Sequence, residues 1–195
     1  MKILFVDCCI RPEGISRTKR LCEAFLKTVR ETHLDFQLET LVLKEENLKP
    51  YLNDDVEKRN QILREGNLDH PILRYGRQFA GADRILIGAP YWDLGFPSLL
   101  KIYFEHIFAS GVTFKYEGAK PKGLCRADKM MYIQTAGGFV EETEPGTLYL
   151  KAVCEMMGIP EFERICADGL DIVEISAESR LRAAYNQIAA IAPNW

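Results

Sequence analysis

The stretch DRILIGAPYWDLGFPSLLKIYFEHIFASGVT, residues 83–113, decides the fold class. Arg84-Ile85-Leu86-Ile87-Gly88 is almost continuously apolar, the pattern of a strand whose sheet carries helices on both faces. Ala89-Pro90-Tyr91-Trp92-Asp93-Leu94-Gly95-Phe96 follows as a loop punctuated by Pro and Gly. Pro97 suits the first turn of a helix. Leu99, Leu100, Tyr103, Phe104, Ile107 and Phe108 then recur at three- and four-residue spacing, which predicts an amphipathic helix. Tyr91 and Trp92 thus stand at the carboxyl end of a buried strand, where open α/β sheets take their ligands. Ordinary packing explains the two rings equally well at this level.

Working outward toward the amino terminus, residues 2–7 (KILFVD) read as a strand and residues 8–15 as a loop. Ser16 or Thr18 caps a helix that carries Leu21, Ala24, Phe25, Leu26 and Val29. Arg11, Ser16, Arg17 and Thr18 cluster where free N–H groups and the helix dipole favour an anion such as phosphate. Capping alone also accounts for the hydroxyls, and neither a P-loop nor G-x-G-x-x-G is present. Residues 35–43 alternate polar and apolar, as an edge or near-edge strand does. Residues 44–67 are rich in charge, with Asp54-Asp55 placed to cap a polar helix from near Val56; this excursion covers either a neighbour or a ligand. Pro71 opens a further helix with Ile72, Leu73, Tyr75 and Phe79 inward.

Toward the carboxyl terminus, residues 111–118 alternate between glycines and residues 121–125 turn. Residues 129–135 (KMMYIQT) form a strand that runs into Ala136-Gly137-Gly138-Phe139, where two glycines let backbone approach a flat ligand. Pro145-Gly146-Thr147 opens a helix that Gly158 and Pro160 close. A strand over 162–170 and a helix over 176–191 complete the chain.

The alternation predicts an α/β fold: a three-layer sandwich of a five-stranded parallel sheet with helices on both faces. Loops 8–16, 89–96 and 136–145 all follow strands. If they converge, the first makes a phosphate site and the other two flank a planar ring. That is the layout of the flavodoxin-like order 2-1-3-4-5, with FMN at the switch point.

Composition sets limits on function. The 195 residues suit a single domain, residues 1–195, and 47% hydrophobic content supports a sizeable core. A net charge of -3 argues against nucleic acid, which calls for a basic footprint. No stretch has the length and apolarity of a membrane span. Met1-Lys2 leads directly into a strand without a signal-peptide pattern. The six cysteines contain no C-x-x-C pair, so no metal is expected, and reduced thiols in a cytoplasm are. Cys8-Cys9 reads as two small buried residues ending the first strand. His106, beside Glu105 on the apolar helix, reads as structural, and His33 and His70 as surface or turn residues.

The block P-Y-W-D-L-G-F-P-S-L-L-K-I-Y-F-E-H-I, then A-S-G-V-T-F-K-Y-E-G-A-K-P-K-G-L and T-A-G-G, resembles the FMN-dependent NAD(P)H:quinone and azo-compound oxidoreductases of flavodoxin-like fold. The resemblance covers residues 83–138 and the opening strand and helix start; the last third agrees in element order. It implies that Ser16, Arg17 and Thr18, helped by Arg11, hold the FMN phosphate. It implies that Pro90, Tyr91, Trp92 and Asp93 line one flavin edge, and Thr135, Ala136, Gly137 and Gly138 the other. Tyr116 falls where such proteins place an aromatic at the substrate rim. Asp93 stands where Asn is usual, and a carboxylate facing the flavin would lower its potential. Ala136 replaces a longer polar residue and opens the pocket.

The implied activity is hydride transfer from NAD(P)H through FMN to small acceptors (quinones, azo or nitro compounds, flavins) in two alternating steps. No acid–base side chain is assigned a catalytic role, because the cofactor carries the chemistry. The resemblance also implies a homodimer. Two alternatives stand beside this reading: a flavodoxin-type electron carrier, which the mild charge disfavours, and a flavin or redox-sensing module using Cys8-Cys9.

Overall fold

The computed structural model describes residues 1–12 and 14–195. Five parallel strands form the central sheet: β1 (Lys2–Asp7), β2 (Gln37–Val42), β3 (Arg84–Gly88), β6 (Lys129–Thr135) and β7 (Glu161–Ala167), in the order β2-β1-β3-β6-β7. The remaining two, β4 (Phe114–Glu117) and β5 (Lys120–Gly123), pair only with each other, antiparallel. The expected sheet of five parallel strands is therefore present, but its order written in chain numbering is 2-1-3-6-7 instead of 2-1-3-4-5. The hairpin is the reason. Its strands are four residues each and largely exposed, so they cannot replace a strand buried on both faces. It is pressed onto the carboxyl end of a helix instead: a Cβ on Gly123 would stand 2.0 Å from the backbone carbon of Met157.

The helices are α1 (Arg17–Thr32), α2 (Asn53–Arg64), α3 (Arg74–Ala80), α4 (Ser98–Ile107), α5 (Pro145–Met157) and α6 (Ala177–Ile191). The strand period of two divides the core cleanly. Leu4, Val6, Ile85, Ile87, Met130 and Tyr132 face α3, α4 and α5, packing with Phe79, Tyr103, Phe104, Leu150 and Met157. Ile3, Phe5, Leu86, Met131 and Ile133 face α1 and α6, packing with Phe25, Val29, Ile188 and Trp195. Both faces of β1, β3 and β6 are thus covered, which explains their unbroken apolar runs. β2 pairs only with β1 and keeps an alternating, half-exposed pattern, as an edge strand should.

Local signals account for most boundaries. Ser16, not Thr18, caps α1, its hydroxyl accepting from the Lys19 N–H at 3.2 Å. Pro97 is the residue before α4 rather than part of its first turn. The helix expected after Pro71 begins as a 3-10 turn, Pro71–Leu73, and becomes α-helical at Arg74. The last strand ends at Ala167, three residues short of the expected Leu170. The excursion over 44–67 covers a neighbour. Arg59 of α2 donates to the carbonyls of Glu105 and Phe108 at the end of α4. Tyr51 lies on the His106 ring at 4.2 Å, and a His106 nitrogen meets the Lys49 carbonyl at 2.8 Å. His106 therefore ties this excursion to α4, a structural use.

Candidate functional site

The loops after β1, β3 and β6 come together because parallel strands all present their carboxyl ends to one edge of the sheet. There they enclose a cavity of about 220 Å³. One end is polar: Arg11, Ser16, Arg17 and Thr18 from the start of α1 and the loop before it. The rest is lined by Pro90, Tyr91 and Trp92 from the loop after β3 and by Thr135, Ala136 and Gly137 at the end of β6. Ten of the twelve residues expected to hold a flavin therefore line one cavity. Ile10 and Asp171 also line it and were not foreseen.

Backbone pairing that continues past the strands builds the walls. Tyr91 N–H donates to the Thr135 carbonyl at 2.9 Å, and Ala136 N–H to that of Ala167 at 2.9 Å. Gly169 and Asp171 donate to Gly138 and Gly137, each at 2.9 Å. The 136–138 loop is thereby held to the segment after β7, and the end of β6 to the loop after β3. Thr18, 1% exposed, meets the Thr135 hydroxyl at 2.6 Å. That bond fixes the first turn of α1 against the end of β6.

Asp93 and Gly138 are not in the cavity wall. Asp93 and Leu94 have φ of 48° and 66°, and Trp92 and Gly95 exchange N–H···O bonds of 3.0 and 2.8 Å. This is a two-residue hairpin with both central residues left-handed, a type I′ arrangement. It carries the exposed Asp93 carboxylate to the turn tip, and Asp93 is not among the residues that line the cavity. Gly138 has its neighbourhood open, with nothing within 4 Å of where a Cβ would lie. Tyr116 is 59% exposed on β4, edge-on to Phe114, and is likewise outside the wall.

Charge is concentrated at the polar end. The Arg17 guanidinium donates to the Leu170 carbonyl at 3.1 Å and to the Asp171 carboxylate at 2.8 Å. Asp7, 1% exposed, accepts from the Cys9 N–H at 2.8 Å and lies 3.3 Å from the Lys19 ammonium. Cys8 and Cys9 are 1% and 2% exposed. Burial pushes the Cys8 thiol up to about 12. Burial, reinforced by the Asp7 charge, raises Cys9 further. Both thiols are therefore held protonated, contrary to what a reactive redox pair requires.

A flavin mononucleotide makes two demands on the residues that hold it. A phosphate monoester needs N–H donors, hydroxyls and cations, and the polar end supplies all three. The first-turn N–H groups of Arg17 and Thr18 have no helical acceptor. A flat ring needs aromatic or small residues beside it, and Pro90, Tyr91, Trp92, Ala136 and Gly137 supply both. The residues fit the group. Asp171 follows β7, whose carboxyl end lies at the same edge of the sheet, but no motif in the sequence singles it out. Among the described residues no cluster of three or more His, Cys, Asp or Glu is arranged to hold a metal, and no helix is long and apolar enough to cross a membrane.

The chain is 34% identical over 186 residues to FMN-dependent NADH:quinone oxidoreductase 2 of Clostridium acetobutylicum, covering 93% of this chain and 92% of that one. It is 34% identical over 199 residues to the FMN-dependent NADH:quinone oxidoreductase of Caldicellulosiruptor saccharolyticus, covering 100% and 99%. Among solved structures, an azoreductase from Bacillus anthracis superposes with a TM-score of 0.89 at 26% identity, covering all of both chains. The family model described as flavodoxin-like fold matches residues 1–192. With that match over nearly its whole length, the chain belongs to the flavodoxin-like fold family.

Proposed function

We propose that this chain is an FMN-dependent NADH oxidoreductase that passes electrons to small acceptors of the quinone and azo classes. The observation that carries the reading is the single cavity that joins a hydroxyl–guanidinium corner at the start of α1 to the loops at the ends of β3 and β6. Full-length relatives bearing the name FMN-dependent NADH:quinone oxidoreductase support it. They also favour NADH as the reductant.

Each part of the chain has a defined task. Ser16, Arg17 and Thr18, with Arg11, bind the phosphate. Pro90, Tyr91 and Trp92 orient the ring from one side and Thr135 through Gly137 from the other. FMN, when bound, supplies acceptance of a hydride from NADH and return of the electrons to an acceptor. The protein's share is to place both partners in turn at one open side, which predicts ping-pong kinetics. No side chain of the wall is assigned to move a proton.

The cavity of about 220 Å³ is smaller than the roughly 300–1,000 Å³ usual for ligand sites. Its rim bears exposed Trp92, and exposed Leu94 sits on the adjoining turn. Both features support a homodimer in which a second copy completes the pocket, with Tyr116 of the protruding hairpin near the acceptor. Residues 1–195 act as one FMN-binding domain. Six unpaired cysteines support a reducing compartment, the cytoplasm. The buried, protonated Cys8 and Cys9 speak against a thiol-based sensor.

The test is the visible spectrum of the purified protein before and after anaerobic NADH. The expected result is an oxidised flavin spectrum that bleaches at one NADH per flavin. A flavin that stays oxidised would move the reading to an electron carrier, and failure to bind FMN at all would overturn the site.

A further inference from the structure

Asp171 lines the cavity, but nothing in the tasks above requires it. Three contacts seat it. Its N–H is anchored to the Gly137 carbonyl at 2.9 Å. Its carboxylate occupies the space a side chain at residue 137 would take: a Cβ there would lie 2.5 Å from Oδ2. Its Oδ1 accepts from the Arg17 Nη2 at 2.8 Å, while Arg17 Nη1 is directed to the Leu170 carbonyl at 3.1 Å. Arg17 is therefore drawn along the wall by two acceptors from the loop after β7. A side chain at residue 137 would displace the Asp171 carboxylate, and glycine there leaves it room.

The consequence is electrostatic. Arg17 is the cation closest in sequence to the cap of α1, and its charge is already countered by a fixed anion in the same cavity. A phosphate monoester carries close to two negative charges at neutral pH. It must share Arg17 with Asp171 and accept a like charge on the same wall. An uncharged ligand of the same shape meets neither cost. Asp171 is more than half exposed, so water screens the pair and the effect is moderate.

Resting on the reading of this cavity as an FMN site, we propose that Asp171 is a specificity-determining residue that moderates the preference for FMN over riboflavin by holding Arg17 and opposing the phosphate charge. The contrast between phosphorylated and unphosphorylated flavin isolates this role, because a merely structural function of Asp171 would alter both alike.

Wild type, Asp171→Asn and Asp171→Ala are each loaded with FMN and, separately, with riboflavin. Each is diluted stepwise, and released flavin is read by its fluorescence. Removing one partly screened like charge should tighten FMN about three- to tenfold and leave riboflavin within about twofold. Asp171→Ala should tighten FMN as Asp171→Asn does, which assigns the gain to lost charge and not to a new amide donor. The gain should shrink in 1 M salt, where the screening length falls to about 3 Å. FMN held equally or less tightly by both variants, or both flavins shifting together, overturns the proposal. A wild type that retains neither flavin overturns the site reading itself, and the proposal with it.

Discussion

Replacing Thr18 by Val tests the bond that locks the start of α1 to the end of β6. The two side chains have nearly the same shape, so no cavity opens and packing is kept. What is lost is one half of a 2.6 Å hydroxyl–hydroxyl bond between residues 1% and 7% exposed. The remaining Thr135 hydroxyl is left with no partner at that position, and an unpaired buried polar group costs about 1–3 kcal/mol. Thr135 borders the cavity, where water can reach it in part, so the lower half of that range applies, about 1–2 kcal/mol. For a chain of this size about 1 kcal/mol lowers Tm by roughly 2–4 °C, so the expected fall is ~2–8 °C. Thr135→Val should cost a similar amount. The double variant removes both polar groups and should cost less than the sum of the singles, by about 1 kcal/mol. Urea unfolding of the four flavin-free proteins, with slopes compared, measures the cycle. Additive losses would refute the reasoning, because they would mean that the two hydroxyls find other partners and that the wall is held by backbone alone.

Two further outcomes follow from groups away from the ring walls. Glu144 caps α5 with a buried carboxylate that accepts from the Gly146 and Thr147 N–H groups, both at 2.6 Å, and from the Gln134 amide at 3.3 Å. Glu144→Ala should therefore cost at least ~2 kcal/mol, a lost cap plus stranded buried donors, and a loss below about 0.5 kcal/mol in urea unfolding would contradict this. The second outcome concerns alkaline pH. Burial raises the Cys8 and Cys154 thiols from 9.0 to about 12 in the folded chain. Their contribution is complete below pH 9 and is lost as pH rises toward 12, because the unfolded chain releases these protons first. Each thiol should then remove about 1.4 kcal/mol of stability per pH unit across that window. Cys8→Ala with Cys154→Ala should flatten the alkaline limb of a Tm-against-pH curve; an unchanged slope would refute the assignment.

The relation of residues to site is uneven, and the reasons are physical. The runs in β1, β3 and β6 were legible because a strand covered on both faces must be apolar throughout, and no other short element leaves that record. The anion corner of Arg11, Ser16, Arg17 and Thr18 and the loops 89–96 and 136–145 could be placed at one edge because strand–loop–helix order puts them there whatever the details of packing, whereas the flavin-lining roles of Pro90, Tyr91, Trp92, Thr135, Ala136 and Gly137 follow from the family resemblance. The place of Asp93 at a turn tip was not legible because it depends on two left-handed residues, Asp93 and Leu94, and D-L-G lacks the glycine in the central pair that usually announces such a turn. The hairpin β4–β5 escaped a strand assignment because its second strand, KPKG, has no apolar face.

The sequence by itself determined the α/β alternation, the parallel sheet and the loops that carry the ligand chemistry, because these follow from local period, caps and connection length. Only the tertiary structure decided that Asp171 joins the cavity, that Arg17 is already paired, that the 44–67 excursion rests on α4 and that Cys8 and Cys9 are sealed. Each of these depends on which residues far apart in the chain meet across the sheet edge or in the core. Contacts of that kind leave no spacing to read: Arg17 and Asp171 lie 154 positions apart and touch through the stacking of three neighbouring loops.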